Sequence, residues 1–293
     1  MRLYTIETGG GKFPAAEGCD GRLYRLIDLG CDYSDMNELI DNITEQQLSA
    51  LKGMLGDSEL LSQKGGFDAD EIKLCSPIPV PKQDIICLGV NYDEHIRETS
   101  DIDDFSNKEY TVYFSKRANY TVGSGEKIPH YDMVDSLDYE AELGVIIGKD
   151  AKNVSAADAV KYIFGYTVIN DVSARNLQLR HKQWYMGKSL DGYTAMGPCI
   201  VTADEINVNG GLDISCTVNG ELRQSSNTKY MIQNIPNAIA ELSAGFMLKK
   251  GTVIATGTPG GVGMGMQPPG YMKSGDCVVC TVEKIGSLVN YCE

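Results

Sequence analysis

The stretch Asp138-Tyr-Glu-Ala-Glu-Leu-Gly-Val-Ile-Ile-Gly148 combines acids with an apolar alternation. From Ala141 onward, Leu143, Val145 and Ile147 share one strand face, and Glu140 and Glu142 share the other. Two carboxylates then stand roughly 6.5–7 Å apart at the backbone. Like charges so close need water or a cation between them. A wet edge face is one solution; a hard divalent cation, which prefers oxygen ligands, is the other. Asp171 closes the apolar run Gly165-Tyr-Thr-Val-Ile-Asn-Asp171. A third acid thus sits where a buried strand stops, a position that a helix or turn cap also explains. Three carboxylates suit magnesium or manganese. Zinc would ask for His and Cys, and His95, His130 and His181 lie far apart in the chain.

A base and local positive charge are also present. A helix following Asn91 places His95 and Glu98 three residues apart on one face. A carboxylate bonded to imidazole fixes its tautomer and raises its basicity, as a general base requires. The same spacing also serves an exposed pair with no chemical role. Thr99 to Lys108 is polar and acid-rich and reads as a mobile loop, which makes the segment carrying His95 a lid. Arg175 and Gln178 follow Asp171, and Lys188 lies in a turn-like Met186-Gly-Lys-Ser-Leu-Asp191. Arg175 and Lys188 supply positive charge, and Gln178 a neutral amide, for an anionic substrate. The glycine-rich Thr256-Gly-Thr-Pro-Gly-Gly-Val-Gly-Met-Gly265 lacks the Gly-Lys-Ser/Thr ending of a phosphate loop, and Pro268-Pro269 stand where its helix should begin. It reads as a tight turn whose amides and Thr258 hydroxyl approach a ligand, or as a purely structural turn.

The elements that must position these residues are mostly strands. Arg2 to Glu7 and Gly21 to Leu29 are short strand candidates around a turn at Gly9-Gly10-Gly11. Ile43 to Leu55 is a helix, with a capping-box spacing at Thr44 and Gln47. Pro77, Pro79 and Pro81 punctuate a boundary near residue 75. Strands follow at Asp84 to Gly89, Thr111 to Ser115, Leu143 to Ile147, Tyr166 to Ile169, Asp213 to Val218, Thr252 to Ala255 and Cys277 to Val282. Few helices intervene among these strands, with candidates at Ser155 to Phe164 and Pro236 to Leu248. Many strands with few crossover helices predict an α+β fold with a mixed sheet, not a regular βαβ array.

With 26 Lys plus Arg against 40 Asp plus Glu, the 293-residue chain carries a formal charge of −14. That argues against nucleic acid and anionic membranes as partners. No apolar run is long enough to span a bilayer and Met1 to Gly11 has no signal-peptide core. The nine cysteines are scattered, and the Cys277/Cys280 pair lies in a strand-like context without a second pair at zinc-ribbon spacing. They read as reduced, mostly buried thiols of a cytoplasmic protein.

Taken together, the residues resemble the fumarylacetoacetate hydrolase family, in its branch of bacterial acylpyruvate hydrolases and 2-hydroxyhepta-2,4-diene-1,7-dioate isomerases. The resemblance runs from about Cys75 to the end. It rests on Gly89-Val-Asn-Tyr-Asp-Glu-His-Ile-Arg-Glu98, Asp138-Tyr-Glu-Ala-Glu-Leu-Gly144, Gly165-Tyr-Thr-Val-Ile-Asn-Asp171, Gly187-Lys-Ser-Leu-Asp191, Val218-Asn-Gly-Glu-Leu-Arg-Gln224 and Ala255-Thr-Gly-Thr-Pro259, in family order. It implies a rolled mixed β-sheet over residues 76–293, preceded by a small N-terminal α/β domain over 1–75, and a homodimer. It also implies Glu140, Glu142 and Asp171 as ligands of Mg2+ or Mn2+, with Ca2+ a further candidate. His95 and Glu98 become the catalytic base pair, Arg175, Gln178 and Thr258 contact substrate, and Lys188 does both. Asn176 departs from the family's usual Asp after the Arg, which bears on how Arg175 is paired. The expected activity is metal-dependent hydrolysis of a carbon–carbon bond in a 2,4-dioxo acid of acylpyruvate or fumarylpyruvate type, through an enolate. Oxaloacetate decarboxylation and dienedioate isomerisation or tautomerisation are alternatives on the same site, and a non-catalytic 2-oxo acid binding protein is the alternative of another class.

Overall fold

A computed structural model describes residues 1–99 and 110–293. Of the expected loop from Thr99 to Lys108, all but Thr99, which ends a helix, therefore lies outside the described residues. The strands are β1 (Arg2–Thr8), β2 (Gly11–Glu17), β3 (Leu23–Arg25), β4 (Lys73–Cys75), β5 (Ile85–Gly89) and β6 (Val112–Lys116). Next come β7 (Lys127–Ile128), β8 (Leu137–Asp138), β9 (Ala141–Ile147), β10 (Ile163–Asp171), β11 (Ser173–Ala174) and β12 (Thr194–Thr202). Then follow β13 (Asp213–Val218), β14 (Glu221–Asn227), β15 (Val253–Ala255), β16 (Cys277–Val282) and β17 (Gly286–Cys292). Helices are α1 (Met36–Asn42), α2 (Glu45–Leu55), α3 (Ser58–Ser62), α4 (Asp93–Thr99), α5 (Arg175–Arg180), α6 (Tyr185–Lys188) and α7 (Ile235–Gly245).

The main sheet runs β3-β2-β1-β12-β10-β9-β15-β5-β6, with β4 pairing β1. A second sheet runs β14-β13-β16-β17-β7. Both are mixed, because β15 lies parallel to β5 and β17 parallel to β7. The α+β class is as expected. Strand alternation in β9 and its neighbours sorts the core into two layers. Ala141, Leu143, Val145 and Ile147 face the second sheet, packing with Ile214, Val278 and Leu288. Ile146 and Ile169 face the other way, toward Leu39, Leu51 and Leu55 of α1 and α2. The main sheet is thus covered on both faces, which explains why β9 is buried throughout and, Glu142 apart, apolar, as is most of β10. Strands of the first 75 residues extend this same sheet, since β1 pairs with β12 at Arg2–Val201 and Leu3–Ile200.

Local chemistry accounts for most element ends. Thr44 and Gln47 form the expected capping box of α2. Two expectations fail. Ser155 to Phe164 is not a helix: Ser155 and Asp158 close a side-chain turn, a 3-10 helix spans Ala159–Tyr162, and β10 begins at Ile163, opposite Ile147. Pairing with β9 outweighs the helical spacing, as the β-branched run ahead favours. Gly21 to Leu29 is strand only over Leu23–Arg25 and then turns into a 3-10 helix, Leu26–Leu29, closed by Gly30 in the left-handed region.

Candidate active site

The site lies where β9, β10 and the short helices α4, α5 and α6 meet the glycine-rich loop 256–265. Glu140 stands just before β9, Glu142 is its second residue, and Asp171 ends β10. Glu140 N–H does not pair in the sheet; it donates to Asn170 Oδ1 at 3.0 Å, and Asp171 N–H donates to Glu140 O at 2.9 Å. These bonds hold the strand ends together. Oxygens of the three acids lie within 4.8 Å of one another, all buried. That spread matches oxygens around one ion at about 2.0–2.6 Å.

Cations already border the acids. Lys188, at the end of α6 rather than in an open turn, donates to Glu140 Oε2 at 2.8 Å and Asp171 Oδ2 at 2.9 Å. Arg175 Nη1 meets Glu140 Oε1 at 2.7 Å and Gln178 Oε1 at 3.0 Å, while its Nε meets Asp138 Oδ2 at 2.8 Å. Lys116, fully buried at the end of β6, donates to Asp171 Oδ1, to Val172 O at 3.0 Å and to Tyr193 O at 2.8 Å. Four carboxylates thus meet three cations, leaving one negative charge. It falls at Glu142, to which among the described residues only Gly257 N–H donates, at 2.8 Å. Burial pushes the Glu142 carboxyl well up, reinforced by Asp171 and Glu140. Burial would do the same to Glu140, but Lys188 and Arg175 outweigh it and bring that carboxyl down to about 2. A dication among the three acids would satisfy Glu142 and turn the centre net positive, ready for an anion. The hard oxygen donor set fits magnesium or manganese.

Of the two readings of the glycine-rich loop, its contacts display the structural one. Its amides hold the site's own carboxylates: Gly257 holds Glu142, Gly261 holds Glu98 at 2.7 Å, and Gly263 and Met264 hold Asp138 at 2.7 and 3.0 Å. Glycine is required at 261, where φ is +101° and a Cβ would stand 2.0 Å from Arg223 O. Thr258 lines the cleft, yet its hydroxyl donates to Ala141 O at 2.9 Å and accepts from Gln224 Nε2 at 2.7 Å. Gln224 Oε1 in turn accepts Ala141 N–H at 3.0 Å. The two side chains tie β14 and the loop to the head of β9.

Helix α4 forms where expected, and His95 Nδ1 lies 2.7 Å from Glu98 Oε1. Val90, a β-branched residue held at φ +56°, turns the chain from β5 toward α4, a conformation costing about 1–3 kcal/mol. His95, Glu140, Glu142, Arg175, Gln178 and Lys188 all line one cleft. Asn176 does not pair with Arg175; its amide donates to Met133 O at 2.9 Å, and Asp138 serves the guanidinium instead. Arg175 Nη2 is buried and, among the described residues, has no acceptor. Asp138 and Lys116 are the site residues that sequence reasoning missed. Asp138 stood inside the acidic motif without a role, and nothing in Phe114-Ser-Lys-Arg117 separates Lys116 from a solvated lysine.

Residues 84–292 match the model of the fumarylacetoacetate (FAA) hydrolase C-terminal domain. The chain belongs to the fumarylacetoacetate hydrolase family. It is 44% identical over 225 residues to the oxaloacetate tautomerase YisK of Bacillus subtilis (strain 168), covering 76% of this chain and 74% of that protein. Its fold matches a fumarylacetoacetate hydrolase (EaFAH) from psychrophilic Exiguobacterium antarcticum with TM-score 0.84 and 35% identity, over 100% of this chain and 99% of the other. A 2-hydroxyhepta-2,4-diene-1,7-dioate isomerase from Mycobacterium marinum matches with TM-score 0.72 and 28% identity, over 100% and 98%. Members of the family are enzymes, commonly metal-dependent hydrolases, isomerases or tautomerases.

Proposed function

We propose that this protein is a divalent-metal-dependent enzyme that moves a proton on the carbon beside the oxo group of a 2-oxo acid, with keto–enol tautomerisation of oxaloacetate as its reaction. The observation that carries this reading is the buried Arg175 Nη2, which has no acceptor among the described residues, beside a cleft lined by Lys188, Glu140, Glu142 and His95, with Asp171 clustered on the two glutamates and Glu98 bonded to His95. The similarity to an oxaloacetate tautomerase supports the choice of substrate.

Glu140, Glu142 and Asp171 would hold Mg2+ or Mn2+, and a cation bound there supplies Lewis-acid charge that draws electrons from the 2-oxo group. Arg175 Nη2 and Gln178 bind a substrate carboxylate. Lys188 Nζ places positive charge beside the oxo oxygen and stabilises the enolate as charge develops there. Glu98, held by Gly261 N–H, fixes His95 through Nδ1. In ketonisation the enol O–H bond breaks as His95 Nε2 delivers a proton to the neighbouring carbon, so that a C–H bond forms and the oxo group is restored. In the reverse direction His95 Nε2 takes that proton from carbon while the oxygen gains one, and no other reactant is consumed.

The test follows the ultraviolet absorbance of enol-oxaloacetate with metal-stripped and Mg2+- or Mn2+-loaded enzyme. The loaded enzyme should speed ketonisation beyond the metal alone. An unchanged rate, with oxalate still bound, would leave a binding protein in place of an enzyme.

Carbon–carbon hydrolysis of a 2,4-dioxo acid is the second reading, favoured by the similarity to a fumarylacetoacetate hydrolase. There His95 activates a water that adds to the distal carbonyl, and cleavage releases a carboxylic acid and pyruvate. Pyruvate appearing from acetylpyruvate or fumarylpyruvate, faster than oxaloacetate ketonises, would put this reading first. Pyruvate and carbon dioxide from oxaloacetate would instead report decarboxylation.

A further inference from the structure

Facing the acids and cations, the cleft is walled by apolar side chains, among them Leu88, Phe114, Leu179, Trp184 and Met264. Trp184 is the one tryptophan of the sequence. Its indole lies against the backbone of Gly89, where a Cβ would stand 2.5 Å from the ring. It meets Phe114 edge to face, with centroids 5.1 Å apart and planes at 79°. The same Phe114 ring has Lys188 Nζ 5.4 Å from its centroid. Trp184 and Lys188 are also joined through the backbone, since Lys188 N–H donates to Trp184 O at 3.1 Å. The indole and the ammonium therefore sit one helical turn apart on a common element.

The cavity between the two walls is only about 40 Å³, against roughly 300–1,000 Å³ for ordinary ligand sites. With the carboxylate and oxo group at Arg175 and Lys188, the rest of a substrate must run toward the indole. A short chain ends before it. A longer one must push the ring aside, and Lys188 is carried on the same turn.

We propose that Trp184 is the specificity-determining residue of this site, restricting it to short 2-oxo acids. This rests on the reading of the cleft as a 2-oxo acid site. The test titrates Mg2+-loaded enzyme with oxalate and with unbranched 2-oxo monocarboxylic acids of increasing length, from pyruvate to 2-oxooctanoate. Trp184 fluorescence reports binding in the native protein, and calorimetry serves native and variants alike. Native affinity should fall at least about tenfold, or ~1.4 kcal/mol, between the four- and seven-carbon acids. Trp184→Ala should remove most of that fall, and Trp184→Phe, which keeps a ring on Gly89 and Phe114, should remove part of it. Retention of the native length profile in a folded variant that still binds oxalate would overturn the inference alone. Failure of native, metal-loaded enzyme to bind oxalate or any 2-oxo acid would overturn it together with the proposed function.

Discussion

Asp138→Asn tests whether the site is built on an ion-pair scaffold. Asp138 is fully buried, and four donors converge on its two oxygens. Gly263 and Tyr139 N–H reach Oδ1 at 2.7 and 2.9 Å; Met264 N–H and Arg175 Nε reach Oδ2 at 3.0 and 2.8 Å. Asparagine keeps the shape but replaces one oxygen with a donor. Either orientation sets that NH2 against two existing donors. Two hydrogen bonds to a charged group, at about 1.5–3 kcal/mol each, give a loss of roughly 3–6 kcal/mol. Arg175 keeps Glu140 and Gln178, so the guanidinium is not stranded, and the lower end, about 3 kcal/mol, is expected. Urea unfolding followed by circular dichroism and Trp184 fluorescence should show a lower midpoint at unchanged slope. Oxalate affinity of the loaded enzyme should weaken on the order of tenfold, because Arg175 loses the contact that aims it. A stability loss below about 1 kcal/mol, the scale of an ordinary neutral hydrogen bond, with oxalate binding unaltered, would refute the reasoning.

Three further outcomes follow from the geometry. His95→Ala should slow turnover by about 10²–10⁴ while calorimetry finds Mg2+ affinity unchanged; loss of metal binding would contradict its role as base. Lys116→Met strips Asp171 of a buried cation and should destabilise the protein by about 3–5 kcal/mol. Saturating Mg2+ should then raise the melting temperature more in this variant than in the native protein, and an equal rise would show that Lys116 does not share the charge balance of the three acids. Burial pushes the Cys87 thiol well up, and burial, then Asp276, brings Cys292 up to about 12. Thiolate is the reactive form. At pH 8, iodoacetamide followed by mass spectrometry should therefore find the exposed Cys19 modified first, with Cys87 and Cys292 silent until urea unfolds the chain.

What the sequence disclosed follows a physical line between groups whose neighbours are local and groups whose neighbours are distant. The capping box of α2 and the His95–Glu98 pair are satisfied within one turn of helix, so spacing alone reveals them. The proximity of Glu140 and Glu142 follows from strand alternation. Strand β2 stays hidden because Pro14 reads as a breaker, yet it is tolerated: Pro14 faces Thr5 on one side, and β3 on the other side covers only Ala15 to Glu17. Pro198 likewise sits in β12 between Gly197 and Val201, the stretch where the pairing with β10 shifts register. Lys116 is the sharpest case. Its 55-residue separation from Asp171 makes an exposed lysine the economical reading, and only the sheet brings them together. The same reasoning applies to the glycine-rich loop, for which the sequence left a structural and a ligand-facing role open. Its sequence shows backbone freed for close approach, but not what approaches, and the answer lies 115 to 163 residues away in Glu142, Asp138 and Glu98. One segment thereby fixes an acid from the metal cluster, the carboxylate that orients the base, and the carboxylate that aims Arg175. A change that shifts this loop should accordingly weaken metal binding, proton transfer and substrate binding together, whereas changes at His95 or Trp184 should separate them.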